Sequence, residues 1–379
     1  MSRSLLIAML AVVVIVIGVI AYQAYQPATT PTPTQTQTPT LTPTTPITTT
    51  TPTTTPLTKI TLQWGTASVG SAGYVTLSLI AEVVNRNMPD LEVVVVPTAG
   101  AVASIKSYTT YQLDGCYAST PSFTELYTLT GRFAGFQPQR YPLQTFWVFT
   151  NEVTIAIHQR NLGKYKCWAD LNGTKMFTGP MGWDVGVALR TALSLLNISY
   201  EHIELDWAML ADALERGTVE ATILYTNGRY GITDFFRQLE LGAPIAILNP
   251  CPNELATLKE RAPGTGIIYV AENYVDPKQV FTTDVKLNYG TKMSAVAFFY
   301  GFHVGPEVSE DVVYRFIKTL EAKAGELANL NPMLRLLSED FIGLQAGGIE
   351  ANKNVPVHPG LAKYMKERGI WNNEWRVGS

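Results

Sequence analysis

Hydrophobic positions follow two different patterns along the chain. Leu5 to Ala21 reads LLIAMLAVVVIVIGVIA, an apolar run of 17 residues. That length falls between a signal-peptide core and a full membrane-spanning helix. Tyr22 and Tyr25 follow it, at the place where amphipathic rings favour a lipid–water interface. From Lys59 onward the pattern changes, and short β-rich runs alternate with stretches of helical period. Ile60 to Trp64 reads as a strand. Leu77, Ile80, Ala81 and Val84 form one face of a helix that Asn85 to Pro89 brings to an end. Val93 to Val96 is a second strand, followed by an amphipathic segment from Val102 to Tyr108. A similar unit recurs, with a strand at Thr174–Thr178, a glycine loop, and a helix from Val187 to Leu196. A helix from Ala208 to Arg216 stops at Gly217, and Ala221 to Tyr225 is a strand. Ser309 is placed to cap a helix whose apolar face is Val312, Val313, Phe316, Ile317 and Leu320. This alternation predicts an α/β class with mostly parallel sheets, arranged as two related lobes.

Between the two patterns, Pro27 to Thr58 holds 18 Thr and 8 Pro in 32 residues and no charge. Such a segment has nothing to bury against the entropy of ordering, so it is expected to be a disordered, extended stalk. Arg3 is the sole charged side chain before Lys59, which favours an N-in orientation for the apolar run. Residues 1–26 are therefore read as an uncleaved signal anchor and transmembrane helix, with cleavage after Ala21 as the second reading. Both place the body outside the cytoplasm. The expected location is the cell membrane.

The chain has 28 Lys+Arg against 31 Asp+Glu, for a net charge of −3. Without a basic cluster, nucleic acid is not expected as a partner. The three cysteines, Cys116, Cys167 and Cys251, form no C-x-x-C spacing, and their pairing is open from the sequence. No metalloprotease, nucleophile-elbow or P-loop motif occurs. The histidines at 158, 202, 303 and 358 are scattered, so no metal site is expected. Asn172-Gly173-Thr174 and Asn197-Ile198-Ser199 have the form of glycosylation acceptors. What remains is a set of Gly/Ser/Thr turns between a strand and a helix, at Gly65–Tyr74, Thr98–Ala101 and Gly179–Gly186. Small residues there let a ligand approach the backbone, and first-turn N–H groups favour negative charge. Turns of this kind on both lobes suggest a cleft that binds a solute and carries no catalytic set.

At these positions the chain resembles the solute-binding proteins of tripartite ATP-independent periplasmic (TRAP) transporters, TAXI subfamily. Gly65-Thr66 through Gly73-Tyr74 is similar to the family's first glycine loop. Pro97 to Val102 resembles its T-G-G-S-V turn, and Ala169 to Lys175 its D-L-x-G-K segment. Ala213 to Ala221 resembles A-L-x-x-G-x-x-D-A, and Val357 to Tyr364 the C-terminal L-H-P-G-A-x-x-Y. The resemblance implies a two-lobed, hinged periplasmic-binding-protein-like (type II) fold. One lobe would be residues 59–149 plus 292–379 and the other 150–291, with crossings near Phe149 and Lys292. It also implies a non-enzymatic receptor that hands a small carboxylate or amino-acid-like solute to an ion-coupled TRAP-type permease, with no cofactor.

Carried over position by position, the ligand-binding candidates on the first lobe are Ser68, Ser71, Tyr74, Thr98 and Ala101, with Ser119 and Thr120 ending a strand at the cleft. On the second lobe they are Gly182, Trp183, Asp184 and Val185. Tyr117 and Tyr225 are placed to line the same cleft. The family pattern at the second loop is G-S-G-T, and this chain has Gly-Trp-Asp-Val there. Asp184 either caps the following helix or faces the ligand; facing it, the carboxylate would suit an amine-bearing solute rather than a plain dicarboxylate. The alternatives are a binding protein of an ABC importer, which shares this architecture, and a ligand-sensing ectodomain, which would need an intracellular signalling segment.

Overall fold

The computed structural model describes residues 59–379. The apolar run at Leu5–Ala21 and the Thr/Pro segment lie outside these residues. Among the described residues, no helix is long and apolar enough to cross a membrane.

The first strands, β1 (Ile60–Gly65) and β2 (Leu91–Val96), pair in parallel around α1 (Ala72–Asn87). The apolar face read from the sequence drives that packing, for Leu77, Ile80, Ala81 and Val84 are all buried. Next come α2 (Ala101–Thr109), β3 (Cys116–Ser119) and α3 (Thr120–Thr128), with a parallel bridge between Trp64 and Gly115 setting β3 beside β1. The long β4 (Phe146–His158) follows, and all 13 of its residues are buried.

The middle of the chain supplies β5 (Lys175–Phe177), α4 (Asp184–Leu195), β6 (Glu201–His202), α5 (Leu210–Arg216) and β7 (Ala221–Asn227). After them come α6 (Asp234–Gly242), β8 (Ile245–Leu248), α7 (Pro252–Arg261), β9 (Tyr269–Val275) and β10 (Lys286–Leu287). Gly217 ends α5 in the left-handed region, at φ +73°. The chain then returns through β11 (Met293–His303) into α8 (Glu310–Ala322), α9 (Ala324–Leu330), α10 (Arg335–Glu339), α11 (Phe341–Ala351) and α12 (Pro359–Glu367). Ser309 caps α8, and its hydroxyl accepts the Val312 N–H.

The expectation of mostly parallel sheets is corrected. β1–β2, β5–β6, β5–β7 and β8–β10 are parallel, whereas β4 is antiparallel to β7, β8 and β11, and β11 is antiparallel to β3, β4 and β9. The two long strands cause this, since each runs against every neighbour it meets. β4 pairs with β11 over Phe146–Val153, with β7 over Asn151–Ile157 and with β8 over Ile155–His158. The result is a mixed α/β fold in which two adjacent strands run through most of the nine-stranded sheet. Phe149 lies inside β4, and Lys292 immediately precedes β11.

A disulfide joins Cys167 to Cys251, and Cys116 is free and buried. Both bonded cysteines sit at helix starts. Glu254 accepts the N–H groups of Cys251, Trp168 and Ala169 at 2.7, 3.2 and 2.7 Å, tying the same two corners by hydrogen bonds.

Candidate functional site

Three helices begin at one cavity. Ala72 and Gly73 from the start of α1, Ala101 from the start of α2, and Asp184 and Val185 from the start of α4 all line it. The first N–H groups of a helix have no partner within it, and the helix dipole leaves that end partially positive. Three such ends facing one space make an environment for an anion. The glycines have a steric role as well. A Cβ at Gly73 would stand 2.7 Å from the Tyr117 ring, and Gly100 holds φ at +144°, open to glycine alone.

The walls between the helix ends come from strands: Tyr117 on β3, Asn151 on β4, Tyr225 and Asn227 on β7, and Tyr300 on β11. Asn151 and Asn227 are each 1% exposed. Asn151 donates its amide to the Thr226 carbonyl at 3.1 Å, but its Oδ1 and both amide atoms of Asn227 have no protein partner. Buried polar atoms normally find partners, and each unsatisfied one costs about 1–3 kcal/mol. The cavity volume is about 50 Å³. A water takes roughly 10–15 Å³ of such space, so the cavity suits a guest of a few non-hydrogen atoms.

Asp184 is the first residue of α4, and its side chain is fully buried. One carboxylate oxygen forms an ion pair with Arg132 at 2.6 Å, and the other accepts the Tyr300 hydroxyl at 2.6 Å. Arg132, in the short turn Gly131–Phe133, also donates to Glu125 at 2.6 Å and to the Gly182 carbonyl at 3.0 Å. Burial works against the Arg132 cation, but Asp184 and Glu125 outweigh it and hold its pKa above the ordinary value. Burial raises the pKa of Glu125, against the pull of Arg132. Burial also raises the pKa values of Tyr117, Tyr225 and Tyr300 above the usual phenol range, so their hydroxyls stay neutral. The cap alternative for Asp184 is corrected: Trp183 occupies the cap position, and Asp184 pairs with Arg132 and Tyr300.

Of the residues singled out from the sequence, Ser71, Ala101, Gly182, Trp183, Asp184, Val185, Tyr117 and Tyr225 line the cavity. Five candidates do not line it. Ser68 is exposed and Tyr74 half-buried. The Thr98 hydroxyl bonds the Thr66 carbonyl at 2.5 Å, so it shapes its own loop. Ser119 caps α3 in a reciprocal pair with Ser122. Thr120 accepts the Phe299 N–H at 3.3 Å and lines a separate cavity of about 410 Å³. The sequence reading missed Asn151, Asn227, Arg132 and Tyr300. Asn151 carried a faint signal, as an amide inside an apolar strand; Arg132 and Tyr300 carried none, because only the fold brings them to Asp184.

Residues 64–369 match the NMT1-like family. The chain belongs to the NMT1-like family. No curated protein matches the sequence. Among solved structures, this NMT1-like protein is similar to the periplasmic aliphatic sulphonate binding protein SsuA from Escherichia coli, at 14% identity and a TM-score of 0.42, over 81% of this chain and 78% of that one. It is similar to MatC from Rhodopseudomonas palustris with bound malate, at 12% identity and a TM-score of 0.46, over 76% and 89%. A third is the ligand-binding component of an ABC-type import system from Staphylococcus aureus, at 8% identity and a TM-score of 0.43, over 84% and 96%.

Proposed function

We propose that this NMT1-like protein is an extracytoplasmic solute receptor of the TAXI type, which encloses a small organic carboxylate and presents it to a TRAP-type permease. One observation carries the reading: three helix N-termini and two buried asparagines with unpartnered amide atoms converge on a single small cavity. The helix ends suit a carboxylate head, and the asparagine amides supply both donors and acceptors for the rest of the solute. No bond of the solute changes. In this reading residues 59–149 plus 292–379 form one lobe and 150–291 the other, with β4 and β11 as the hinge. Solute touching both lobes favours the closed state by its differential affinity, and the permease responds to closure.

The Cys167–Cys251 disulfide supports an oxidising, extracytoplasmic compartment. Leu5–Ala21 then serves as the membrane anchor and the Thr/Pro segment as the stalk that keeps the receptor near its permease. An ABC importer would use the same receptor geometry, and the permease encoded or isolated with the protein separates the two.

Native mass spectrometry of the purified body tests the reading. The expected result is a co-purified carboxylic acid of a few non-hydrogen atoms, with thermal stabilisation on adding it back. A body that binds no carboxylate in a broad panel overturns it.

A further inference from the structure

Asp184 is the carboxylate at the cavity wall, and an amine-bearing solute would need it. Its environment decides whether it is free to serve one. Arg132 lies 2.6 Å from one of its oxygens and Tyr300 donates to the other. Arg132 is itself held on two further sides, by Glu125 at 2.6 Å and by the Gly182 carbonyl at 3.0 Å, so its guanidinium has little freedom to swing away. Arg190, the other cation near this corner, is engaged with the carbonyls of Gly179 and Met181 at 3.3 and 3.1 Å. One Asp184 oxygen is therefore held in charge contact with Arg132, outside hydrogen-bond alignment, and the other accepts a hydrogen bond from Tyr300.

We propose that Arg132 sets the charge preference of the site, holding Asp184 out of reach of ammonium groups so that the cavity takes an anionic solute and rejects its amine analogue. This deepens the receptor reading and rests on it. An ammonium entering the cavity would meet three positive helix ends and a carboxylate already paired. A carboxylate would meet the same helix ends without facing an unpaired negative charge. Removing Arg132 together with Glu125 reverses the situation. The net charge of the cluster is unchanged, but Asp184 keeps only the Tyr300 hydroxyl and becomes the natural partner of a cation. Removing Glu125, Arg132 and Asp184 together leaves no free carboxylate in the cluster, so amine binding should not appear.

Calorimetry with propionate, alanine and propylamine on the whole exported body tests this. Wild type should bind propionate at least about tenfold more tightly than propylamine, with alanine between them. E125Q/R132Q should gain propylamine affinity and lose propionate affinity, each by about tenfold or more, and E125Q/R132Q/D184N should bind no propylamine. Unchanged preference in a folded E125Q/R132Q overturns the inference and leaves the receptor reading standing. Wild type that binds propylamine as well as propionate overturns it without recourse to any variant, which covers the case of E125Q/R132Q failing to fold. No binding of any carboxylate by wild type overturns the receptor reading, and this inference with it.

Discussion

The rings of Tyr117 and Tyr300 lie face to face, with centroids 4.4 Å apart and planes 4° from parallel. Tyr117 belongs to β3, and Tyr300, its neighbour on β11, continues through its hydroxyl to Asp184 at the start of α4. A stack between two strands thus fixes both a cavity wall and the orientation of the buried carboxylate.

That stack makes Gly73 a sensitive position. A Cβ there would approach Tyr117 to 2.7 Å, and the Tyr300 ring blocks retreat on its stacked side. G73A should therefore cost about 1–3 kcal/mol of stability, as overpacking does. It should also weaken solute binding, because the displaced ring has the cavity as its free space. Urea denaturation with parallel calorimetry checks both effects; a variant of wild-type stability and affinity would contradict the packing argument.

Y300F keeps the ring stack and removes one donor from a buried carboxylate. Hydrogen bonds to charged groups contribute about 1.5–3 kcal/mol, so a loss in that range is expected in the unfolding free energy measured by urea denaturation. The secondary structure should be retained, since the backbone pairing of Tyr300 with Phe149 and Ser119 does not involve the hydroxyl.

Local signals carried much of the fold. The face Leu77–Val84 and the face Val312–Leu320 were visible because a buried helix stripe repeats within one element. The His358-Pro359-Gly360 element was visible as a resemblance, and the structure supplies its mechanics. His358 accepts the Gly360 N–H at 3.1 Å as the cap of α12 and bonds the Val308 carbonyl at 2.9 Å with its other nitrogen, while Pro359 opens the helix. The cavity was half legible. Its helix ends advertise themselves as small-residue turns, so Ser71, Ala101 and Gly182–Val185 were found. Strand residues give no such sign, because an asparagine in β4 reads like any interruption of an apolar run until β7 brings Asn227 beside it. The antiparallel pairing of β4 and β11 was equally hidden, since strand direction depends on contacts more than a hundred residues apart.

The disulfide closes a sequence separation of 84 residues between the corners before Trp168 and Pro252. Cross-linking a loop of that length removes denatured-state entropy, and native disulfides typically contribute about 2–4 kcal/mol. C167A/C251A should lose a comparable amount while Glu254 continues to bond both corners. Wild type under dithiothreitol should approach the same midpoint as the variant, and an unchanged midpoint in both cases would place the two sulfurs apart in solution.

Glu152 gives a pH dependence of stability with a defined sign. It is fully buried on β4, accepts from the hydroxyls of Thr150 and Thr226 (the latter at 2.6 Å), and takes the Arg229 N–H at 3.1 Å. Desolvation dominates over these bonds, and its pKa is pushed up to about 7. Arg229 is the cation that faces it, with the phenols of Tyr269 and Tyr274 on β9, across β11 from β4. A carboxyl raised in the folded state holds its proton longer than the unfolded chain does. Its contribution is therefore fully present below about pH 4.5 and is lost as pH rises towards 7. The difference corresponds to about 3 kcal/mol. E152Q has no proton to lose, so its stability should fall less than that of wild type between pH 5 and pH 8. Urea midpoints for both proteins at the two pH values make the comparison, and equal slopes would mean that Glu152 is already ionised at pH 5 in the folded chain.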